Sequence, residues 1–414
     1  MTIIEFYDKT SVENIAGALL CNPEKVIFVG NDRDQMEKSK KIYEDILKNR
    51  GITTQLECKS VNRNNLSAIV SYLESVIADN KNCVFDLTGG EEMYLVAVGI
   101  LMEKYKGIIS CHRFNLRNEK LMDCDMDGNV CATGSFDISV EENINMYGGK
   151  IVREPSCKQY TYDWNFNKDF IDDVKAMWEI CKGDPSDNEV ALWNIHTETL
   201  GEIYKNFGNP NSLEFSFDVN VAKSVLAYRK KNYVLFPSLL YKLQNARLIS
   251  SLSVGETISF RFKNEQVKKC LIVAGQVLEL IVAIKMRALK DRDGSPLYHD
   301  VKVGVVIDWD GKYGEDQIRT INEIDVIAMK GMIPVFVSCK NGKFKSDELY
   351  KLHTVTSRFG NEYAKKVLVT SQLERLEDRR ELRARMGDMG IRPIDDVDAI
   401  SDEEFDRDLK NILC

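Results

Sequence analysis

The sequence predicts an α/β protein of three regions, and three patterns lead to this fold class. Over residues 1–145, strand-like runs alternate with amphipathic helices, which is typical of a doubly wound, Rossmann-like sheet. Residues 146–265 are predicted to be helices followed by a β-hairpin. Residues 266–414 open with an apolar helix and continue as a mixed sheet. At 414 residues the chain is long enough for two or three cores, since one core stops growing near about 250 residues.

The first region consists of short strands joined by helices through short connections. Its predicted strands are TIIEFY, KVIFVG, TTQLECKSV, CVFDLTGG, GIISCHRFNL and KLMDCDMD. Its predicted helices are SVENIAGALLC, DQMEKSKKIYEDILKNRG, NLSAIVSYLESVIADN and EEMYLVAVGILMEKY. In a doubly wound sheet, ligands bind beyond the carboxyl ends of the strands, which here end in loops 7–11, 30–35 and 88–92. The sequence has no GxGxxG, which argues against a dinucleotide-linked dehydrogenase.

The middle region has helical patterns around 170–181 and 198–207. Further on, FPSLLYKLQNARLI predicts a helix and SSLSVGETISFRFKN a hairpin that turns near Gly255. This order suits a winged-helix element, and the basic stretch YRKKNY precedes it. A spacer that packs the two end regions together is favoured over direct readout of a nucleic acid.

The composition is that of a soluble globular protein, with 44% hydrophobic and 29% charged residues. Eleven cysteines occur without CxxC or Cys/His metal spacing, and the first residues lack a basic signal-peptide segment, so we expect reduced thiols in a cytoplasmic protein. The longest apolar run, CLIVAGQVLELIVAI, is interrupted by Gln276 and Glu279 and is too short to cross a bilayer. We therefore expect no membrane partner.

The net charge of −8 is concentrated near the carboxyl terminus. Residues 395–408 contain eight acids and one arginine, so the rest of the chain is almost neutral. The acidity therefore does not exclude a basic groove elsewhere.

The third region is predicted to contain an apolar helix from Lys268 to about Lys290, the strand VKVGVVIDWD and the hairpin INEIDVIAMKGMIPVFVSCKNGKF. The helix SDELYKLHTVTSRFGNEYAKK, the strand VLVTS and the charged helix QLERLEDRRELRARMG follow. The hairpin carries charges where a core strand should carry none. Because side chains alternate along a strand, Glu323 and Asp325 should point the same way, as should Ser338 and Lys340, so pairing of the strands would place two carboxylates beside a lysine and a serine on one face.

Burying these charges costs several kcal/mol unless they are paired or bind a metal. A buried salt bridge between Lys340 and Asp325 or Glu323 is one interpretation, and a metal site is the other. Glu279, predicted in the middle of the apolar helix, and Asp308, at the end of its strand, could add carboxylates. Several carboxylates around a lysine suit phosphodiester cleavage assisted by Mg²⁺ or Mn²⁺. The acid on an apolar helix favours the metal site.

The order of helix acid, strand acid and strand lysine resembles the PD-(D/E)xK restriction-endonuclease-like nucleases. More narrowly, NEIDVIAMKGMIPVFVSCKNG resembles the nuclease domain of CRISPR ancillary nucleases activated by cyclic oligoadenylate. The resemblance implies that Asp325 binds metal, that Lys340 is the signature lysine and that Glu279 is the helix acid. Asp308 or Glu323 would be an additional ligand. Ser338 departs from the pattern, since this position usually holds an acid.

The stretch VFDLTGGEEMY places two glycines between a strand and a helix, so the backbone can approach a ligand and helix N–H groups favour phosphate. It resembles CARF domains, Rossmann-like sensors that bind cyclic oligoadenylate across a two-fold dimer interface. The resemblance assigns ligand contacts to Thr88, Gly89, Gly90, Asn31, Asp32 and Arg33, and a phosphate contact to Lys9. Glu91 and Glu92 depart from the pattern because acids would repel phosphate.

The sequence thus predicts a homodimeric, metal-dependent nuclease of type III CRISPR antiviral defence, activated by cyclic oligoadenylate, with the tetra-adenylate (cA4) favoured over the hexa-adenylate (cA6). Its domains would be a CARF sensor (1–145), a connector (146–265) and a nuclease domain with an acidic helical tail (266–414). Substrates would be single-stranded DNA or RNA, with nicking of duplex DNA. The alternatives are a ligand-responsive DNA-binding regulator with an inactive nuclease-like domain, and a ring nuclease that degrades the messenger.

Overall fold

The computed structural model describes residues 1–8, 12–124, 129–133, 136–157, 159–183, 189–312 and 320–413. Within these ranges the chain forms a seven-stranded, a three-stranded and a six-stranded sheet. No helix in the described part is both long and apolar enough to cross a membrane. The cysteines whose side chains are described are free thiols.

The seven-stranded sheet is built from the first region and has the order β3-β2-β1-β4-β5-β6-β7. Its strands are β1 (Thr2–Phe6), β2 (Lys25–Gly30), β3 (Gln55–Ser60), β4 (Cys83–Asp86), β5 (Ser110–Asn115), β6 (Lys120–Asp123) and β7 (Val130–Thr133). β1 to β5 are parallel, whereas β6 and β7 pair in antiparallel fashion. The parallel sheet confirms the predicted α/β class. β7 was not predicted.

Helices cover both faces of this sheet. They are α1 (Glu13–Cys21), α2 (Arg33–Asn49), α3 (Leu66–Asp79) and α4 (Glu92–Lys104). Apolar side chains of α1 and α2 pack against one face, and those of α3 and α4 against the other. The first face is also part of an apolar cluster that continues into the six-stranded sheet, so the two sheets share a core.

The six-stranded sheet has the order β16-β15-β14-β13-β12-β8. Its strands are β8 (Lys150–Ile151), β12 (Asp300–Asp308), β13 (Ile321–Lys330), β14 (Ile333–Lys340), β15 (Lys365–Thr370) and β16 (Ile391–Ile394). The predicted hairpin is confirmed, since β13 and β14 are antiparallel and joined by Gly331 and Met332. The helices of this part are α5 (Val140–Met146), α12 (Ser346–Phe359), α13 (Arg379–Asp388) and α14 (Asp402–Lys410).

The middle of the chain contains helices and a three-stranded antiparallel sheet of order β10-β11-β9. Its elements are α6 (Lys168–Lys182), α7 (Glu189–Phe207), β9 (Glu214–Asp218), α8 (Val219–Tyr228), α9 (Pro237–Asn245), β10 (Ile249–Ser253) and β11 (Thr257–Phe262). The hairpin of β10 and β11 turns at Gly255, as predicted.

The single apolar helix predicted from Lys268 to about Lys290 is wrong. The structure has two helices, α10 (Glu265–Ile272) and α11 (Gln276–Ala288). Gly275 separates them with φ +86°, a left-handed conformation that ends the helical path. As a consequence, Glu279 lies in the first turn of α11 rather than in the middle of a helix.

Candidate functional site

The candidate active site lies where β13 and β14 separate. Their paired residues run from Lys330 and Ile333 to Val326 and Val337. Beyond this point the side chain of Asp325 spans the gap. Its Oδ2 accepts a hydrogen bond from the backbone N–H of Cys339 (2.6 Å) and another from the hydroxyl of Ser338 (3.1 Å). Asp325 is therefore held at the open end of the hairpin by the strand that carries the lysine.

The backbone around Asp325 departs from regular alternation. Ile324 packs in the same apolar cluster as Ile327, whereas Val326 packs in the opposite one, so the facing of β13 changes at Asp325. On β12, Gly304 lies next to this point and has φ +59°. A Cβ at Gly304 would make only an ordinary contact with Glu323 Oε1, at 3.6 Å, so the left-handed backbone rather than a lack of space favours glycine here.

Lys340 is held by two carboxylates from different elements. Its Nζ lies 3.0 Å from Oε2 of Glu348 on α12 and 3.6 Å from Oδ2 of Asp325. Burial alone would lower the pKa of Lys340, but the two carboxylates outweigh it and raise the pKa above its ordinary value. The ammonium is therefore charged at neutral pH and offers a fixed positive charge beside Asp325.

Two further carboxylates approach the same point. Burial raises the pKa of Glu279 well above its usual range, and the negative charges of Asp325 and Glu323 add to this. Burial, followed by Asp325, likewise raises the pKa of Glu323. Gln276 Nε2 donates a hydrogen bond to Glu279 Oε2 at 2.8 Å. Asp325, Glu323 and Glu279 thus form one acidic cluster, in which the first two come from β13 and the third from α11.

Carboxylate oxygens are the ligands that Mg²⁺ and Mn²⁺ prefer, so the donor chemistry of Asp325, Glu279 and Glu323 fits such an ion. The electrostatic repulsion between them points the same way, because a divalent cation would relieve it. As placed, however, no three His, Cys, Asp or Glu side chains in the described ranges converge closely enough to hold an ion. The carboxylates would have to move together to enclose one.

The other predicted residues of this region are placed as follows. Asp308 is buried and paired with Ile321, four residues along β13 from Asp325, which is roughly 13 Å along the strand. It does not line the small cavity shared by Asp325, Ser338 and Glu348. Cys339 faces the apolar cluster away from Lys340, as core packing predicts.

On the seven-stranded sheet, the predicted sensor loops meet at one edge. β2, β1 and β4 are neighbours, so the segments 31–33 and 88–90 flank the end of β1. Asn31, Asp32 and Arg33 are exposed, and Asp32 caps α2 by accepting from the N–H of Gln35 at 3.0 Å. Lys9 lies outside the described residues.

The glycines at this edge are required by the approach of β1. A Cβ at Gly89 would lie 2.8 Å from Asp8, and one at Gly90, which has φ +96°, would lie 2.5 Å from Phe6. These contacts explain both glycines without a ligand.

The hydroxyl of Thr88 is used within the protein. It bonds to Asp86 Oδ1 and accepts from the N–H of Phe114 at 2.7 Å. Asp86 also bonds through Oδ2 to Nε2 of His112 at 2.9 Å. Burial raises the pKa of Glu5 well above its usual range, with Asp86 the next cause. Thr88 is thus fixed to a buried polar network beneath the loop.

Two residues of these sites were not predicted from the sequence. Glu348 lies at the start of a helix eight positions after Lys340, where an acid is an ordinary helix-starting residue. Arg63 lies after β3, and its Nη1 is 2.7 Å from Oε1 of Glu91. The acid expected to repel phosphate is therefore neutralised by a cation from another loop.

Solved structures share this fold. The protein VC1899 from Vibrio cholerae matches with a TM-score of 0.69 and 17% sequence identity, over 99% of this chain and 96% of that one. Can2 from Sulfobacillus thermosulfidooxidans, solved in complex with cyclic tetra-adenylate, matches with a TM-score of 0.67 and 14% identity, over 100% of this chain and 99% of that one. These likenesses, over nearly the whole length of each chain, show a common overall fold. The sequence matches no protein-family model, and no curated protein matches it.

Proposed function

We propose that this protein is a metal-dependent nuclease whose activity is switched on by a cyclic oligoadenylate in type III CRISPR defence. The observation that carries the proposal is the arrangement at the open end of the hairpin. Asp325 and Lys340 face each other there, and the carboxyl groups of Glu279 and Glu323 lie near enough for the charge of Asp325 to raise both of their pKa values. A buried salt bridge needs one acid and one base, whereas this cluster holds a surplus of carboxylates.

In this proposal Asp325 and Glu279 hold Mg²⁺ or Mn²⁺, with Glu323 as a further ligand. When bound, the metal would supply Lewis acidity and an activated water for phosphodiester hydrolysis. Lys340, charged and fixed by Glu348, stabilises negative charge that develops on the phosphate. Ser338 orients Asp325 by its hydrogen bond and takes the position where related nucleases carry an acid.

The proposed activator site is the edge formed by 31–33 and 88–90. Gly89 and Gly90 offer backbone donors, Arg33 offers charge, and Arg63 offsets Glu91. The tetra-adenylate is favoured because Can2, which shares the fold, was solved with that ligand. Thr88 would contribute mainly by fixing the loop.

An exposed apolar stripe supports a homodimer. Leu95, Val96 and Ile100 on α4 are 41%, 49% and 45% exposed. This helix begins directly after the proposed activator loop. A second copy that covers this stripe would place two activator loops together. The regions 1–145, 146–265 and 266–414 would then act as CARF sensor, winged-helix-like connector and nuclease, in the cytoplasm.

The decisive experiment measures cleavage of labelled single-stranded DNA and RNA, and nicking of a plasmid, in Mn²⁺, Mg²⁺ or EDTA, with cA4, cA6 or no activator. Lys340→Ala should lower the rate about 100-fold or more, since a fixed charge on the transition state is lost. Lys343→Ala removes an exposed lysine nearby and serves as the matched control. Cleavage that needs metal, activator and Lys340 supports the proposal.

One observation favours a second function. The strand β9 is followed by the helices α8 and α9 and then by the hairpin of β10 and β11, with which β9 forms one sheet. This order of elements is the layout of a winged helix. If the protein binds activator and duplex DNA tightly but cuts nothing, it is a ligand-responsive DNA-binding regulator instead. Loss of the messenger itself during incubation would indicate a ring nuclease.

A further inference from the structure

A pocket rich in aromatic side chains lies directly beside the candidate active site. This aromatic pocket has a volume of about 170 Å³, and its walls include Tyr160, Tyr162, Trp164 and Lys269. Glu323 also lines it, and Glu323 is in addition a wall of the small cavity at Asp325. The side chain of Glu323 is therefore a wall common to both spaces.

The aromatic residues belong to a segment, YTYDWNF, with a ring at every second position. Hydrogen bonds fix this segment in an extended path. Thr161 donates its N–H to the carbonyl of Val152 at 2.7 Å, and its hydroxyl accepts from the N–H of Val306 at 2.8 Å. Asn165 donates its N–H to Gln266 at 2.6 Å. Alternation then places Tyr160, Tyr162 and Trp164 on the side opposite to Thr161.

The rings are ordered by one another. Tyr162 and Trp164 meet edge to face with centroids 4.7 Å apart, and Trp164 stacks on Phe170 at 5.5 Å. Lys269 places its ammonium 4.3 Å from the ring centre of Tyr162 and 5.0 Å from that of Tyr160. A rigid aromatic wall and a cation are thus combined in one half-buried pocket.

Aromatic walls and a nearby cation are what proteins use to hold single-stranded nucleic acid, because every base has a face that stacks and every linkage carries a negative charge. Drug-sized ligands occupy pockets of about 300–1,000 Å³, so this smaller one suits a single ring system. We propose that the aromatic pocket binds one unstacked nucleobase of the strand whose phosphate lies at Asp325 and Lys340. This inference rests on the proposed nuclease function and names how that site holds its substrate.

Binding of a single strand to the aromatic pocket is measured in a variant that cannot cleave the strand. In a Lys340→Ala background with cA4, the affinity for a short labelled oligothymidine is measured by fluorescence anisotropy. Adding Tyr160→Ala and Tyr162→Ala together should weaken binding roughly tenfold or more, the usual effect of losing a stacking platform. Tyr160→Phe with Tyr162→Phe keeps both rings and should bind like the background. Equal affinity of the Ala and Phe pairs overturns the proposal.

A second arm uses the unchanged protein and therefore needs no folding control. Substrates carry a single abasic position, moved stepwise along the strand, and the cut sites are mapped. We expect one position, at a constant distance from each cut, where loss of the base raises KM and removes that cut. Uniform cutting of all substrates overturns the base-binding inference while leaving the nuclease proposal intact. If no strand is cut but the Ala pair still loses affinity, the base site stands and the nuclease proposal fails.

Discussion

Nζ of Lys340 lies nearer to Glu348, at 3.0 Å, than to Asp325, at 3.6 Å. The two acids come from different elements, since Glu348 is on α12 and Asp325 on β13. Lys340 is therefore positioned by an acid outside the hairpin, and in the proposed nuclease this acid is a positioning residue.

Glu348→Gln keeps the shape of the side chain and removes its charge. Charged hydrogen bonds are worth about 1.5–3 kcal/mol, and about 1.4 kcal/mol corresponds to a tenfold change in rate. We expect kcat to fall about tenfold with little change in KM, because Lys340 is less well fixed while substrate contacts remain. Steady-state cleavage of a labelled oligonucleotide measures both constants. Asp347→Asn, an equal charge change at an exposed neighbour, is the control, and an unchanged kcat in Glu348→Gln would contradict this role.

Ser338→Asp introduces a carboxylate beside Asp325, at the position where the PD-(D/E)xK pattern has an acid. Ser338 is 7% exposed, and its hydroxyl lies 3.1 Å from Asp325, so a carboxylate there faces another carboxylate. Without metal we expect the Tm to fall by about 2–6 °C, as for a loss of one or two kcal/mol. Mn²⁺ should raise the Tm of this variant more than that of the parent, because the added acid is a stronger ligand than serine.

Thermal unfolding in EDTA and in increasing Mn²⁺ provides the measurement. Ser338→Ala is the matched control, since it removes the hydrogen bond without adding a charge and costs about 1 kcal/mol. Identical Mn²⁺ responses of the Asp and Ala variants would argue against a metal at Asp325.

The hairpin and its charges could be predicted because alternation and turn chemistry act over a few residues. Glu323, Asp325 and Lys340 do lie together, but the facing of β13 changes at Asp325, and regular alternation does not predict that change. Asp308 does not lie with them, because its distance along β12 depends on which residues of β13 it faces. Pairing register is a property of the assembled sheet, and the sequence of one strand does not contain it.

The break between the two helices at Gly275 was not predicted because apolar residues continue across it. Hydrophobic periodicity does not reveal that one residue adopts a left-handed backbone conformation. β8, only two residues long, and β16, with four, carry too short a pattern to be recognised. Glu348 and Arg63 were missed for another reason. Glu348 and Arg63 each form an ion pair with a residue that tertiary packing brings near. The spacing of these residues in the sequence does not identify the partner.

The ion pair between Arg63 and Glu91 predicts how the affinity of the proposed activator site for cA4 depends on the charge of Glu91. Both side chains are about half exposed, and their charges lie 2.7 Å apart beside Gly90. Arg63→Ala leaves Glu91 uncompensated near the proposed phosphate position, so we expect cA4 to bind about two- to fivefold more weakly, in line with a single exposed charge pair. Isothermal titration calorimetry measures the affinity.

The double variant Arg63→Ala with Glu91→Ala should regain most of this affinity, because repulsion and compensation are removed together. Lys106→Ala removes an exposed cation just beyond the other end of α4 and should have no effect. A double variant as weak as Arg63→Ala alone would show that Arg63 contacts the ligand itself.

His196 predicts how stability depends on pH. It is 1% exposed, and its Nδ1 accepts a hydrogen bond from the N–H of Phe236 at 3.1 Å. Burial lowers the pKa of His196 to about 4. As the pH falls below about 6.5, the imidazole becomes protonated in the unfolded chain but stays neutral in the folded chain. The free energy of unfolding therefore has its full value above that pH and decreases as the pH falls towards about 4. The loss amounts to about 3 kcal/mol.

His196→Asn does not titrate and keeps an acceptor near the position of Nδ1. Although it is less stable at neutral pH, its free energy of unfolding should fall less steeply than that of the parent between pH 6.5 and 4.5. Thermal or denaturant midpoints across this range measure the difference between the two curves. Parallel curves would mean that His196 is protonated in the folded protein.

Glu119 links the two end sheets through the hairpin that carries the candidate active site. It lies in the turn between β5 and β6, where its Oε1 is 3.4 Å from the backbone nitrogen of Met332. Its carboxylate also rests over Gly331, where a Cβ would overlap it. A ligand shifts an equilibrium only through contacts that differ between two states. We expect the contact of Glu119 with the hairpin turn to differ between the activator-bound and the activator-free state, and so to transmit activator binding to the hairpin.

Glu119→Ala should therefore leave the Kd for cA4 within about twofold and lower activated cleavage about tenfold, a coupling of typical size. Gly331→Ala, which displaces the same carboxylate and strains a residue at φ +55°, should act in the same direction. Lys120→Ala, at the neighbouring position, is the control. Calorimetry gives the Kd, and cleavage at saturating cA4 gives the rate. A fall in cA4 affinity that accounts for the whole loss of cleavage would place Glu119 in the activator site instead of between the sites.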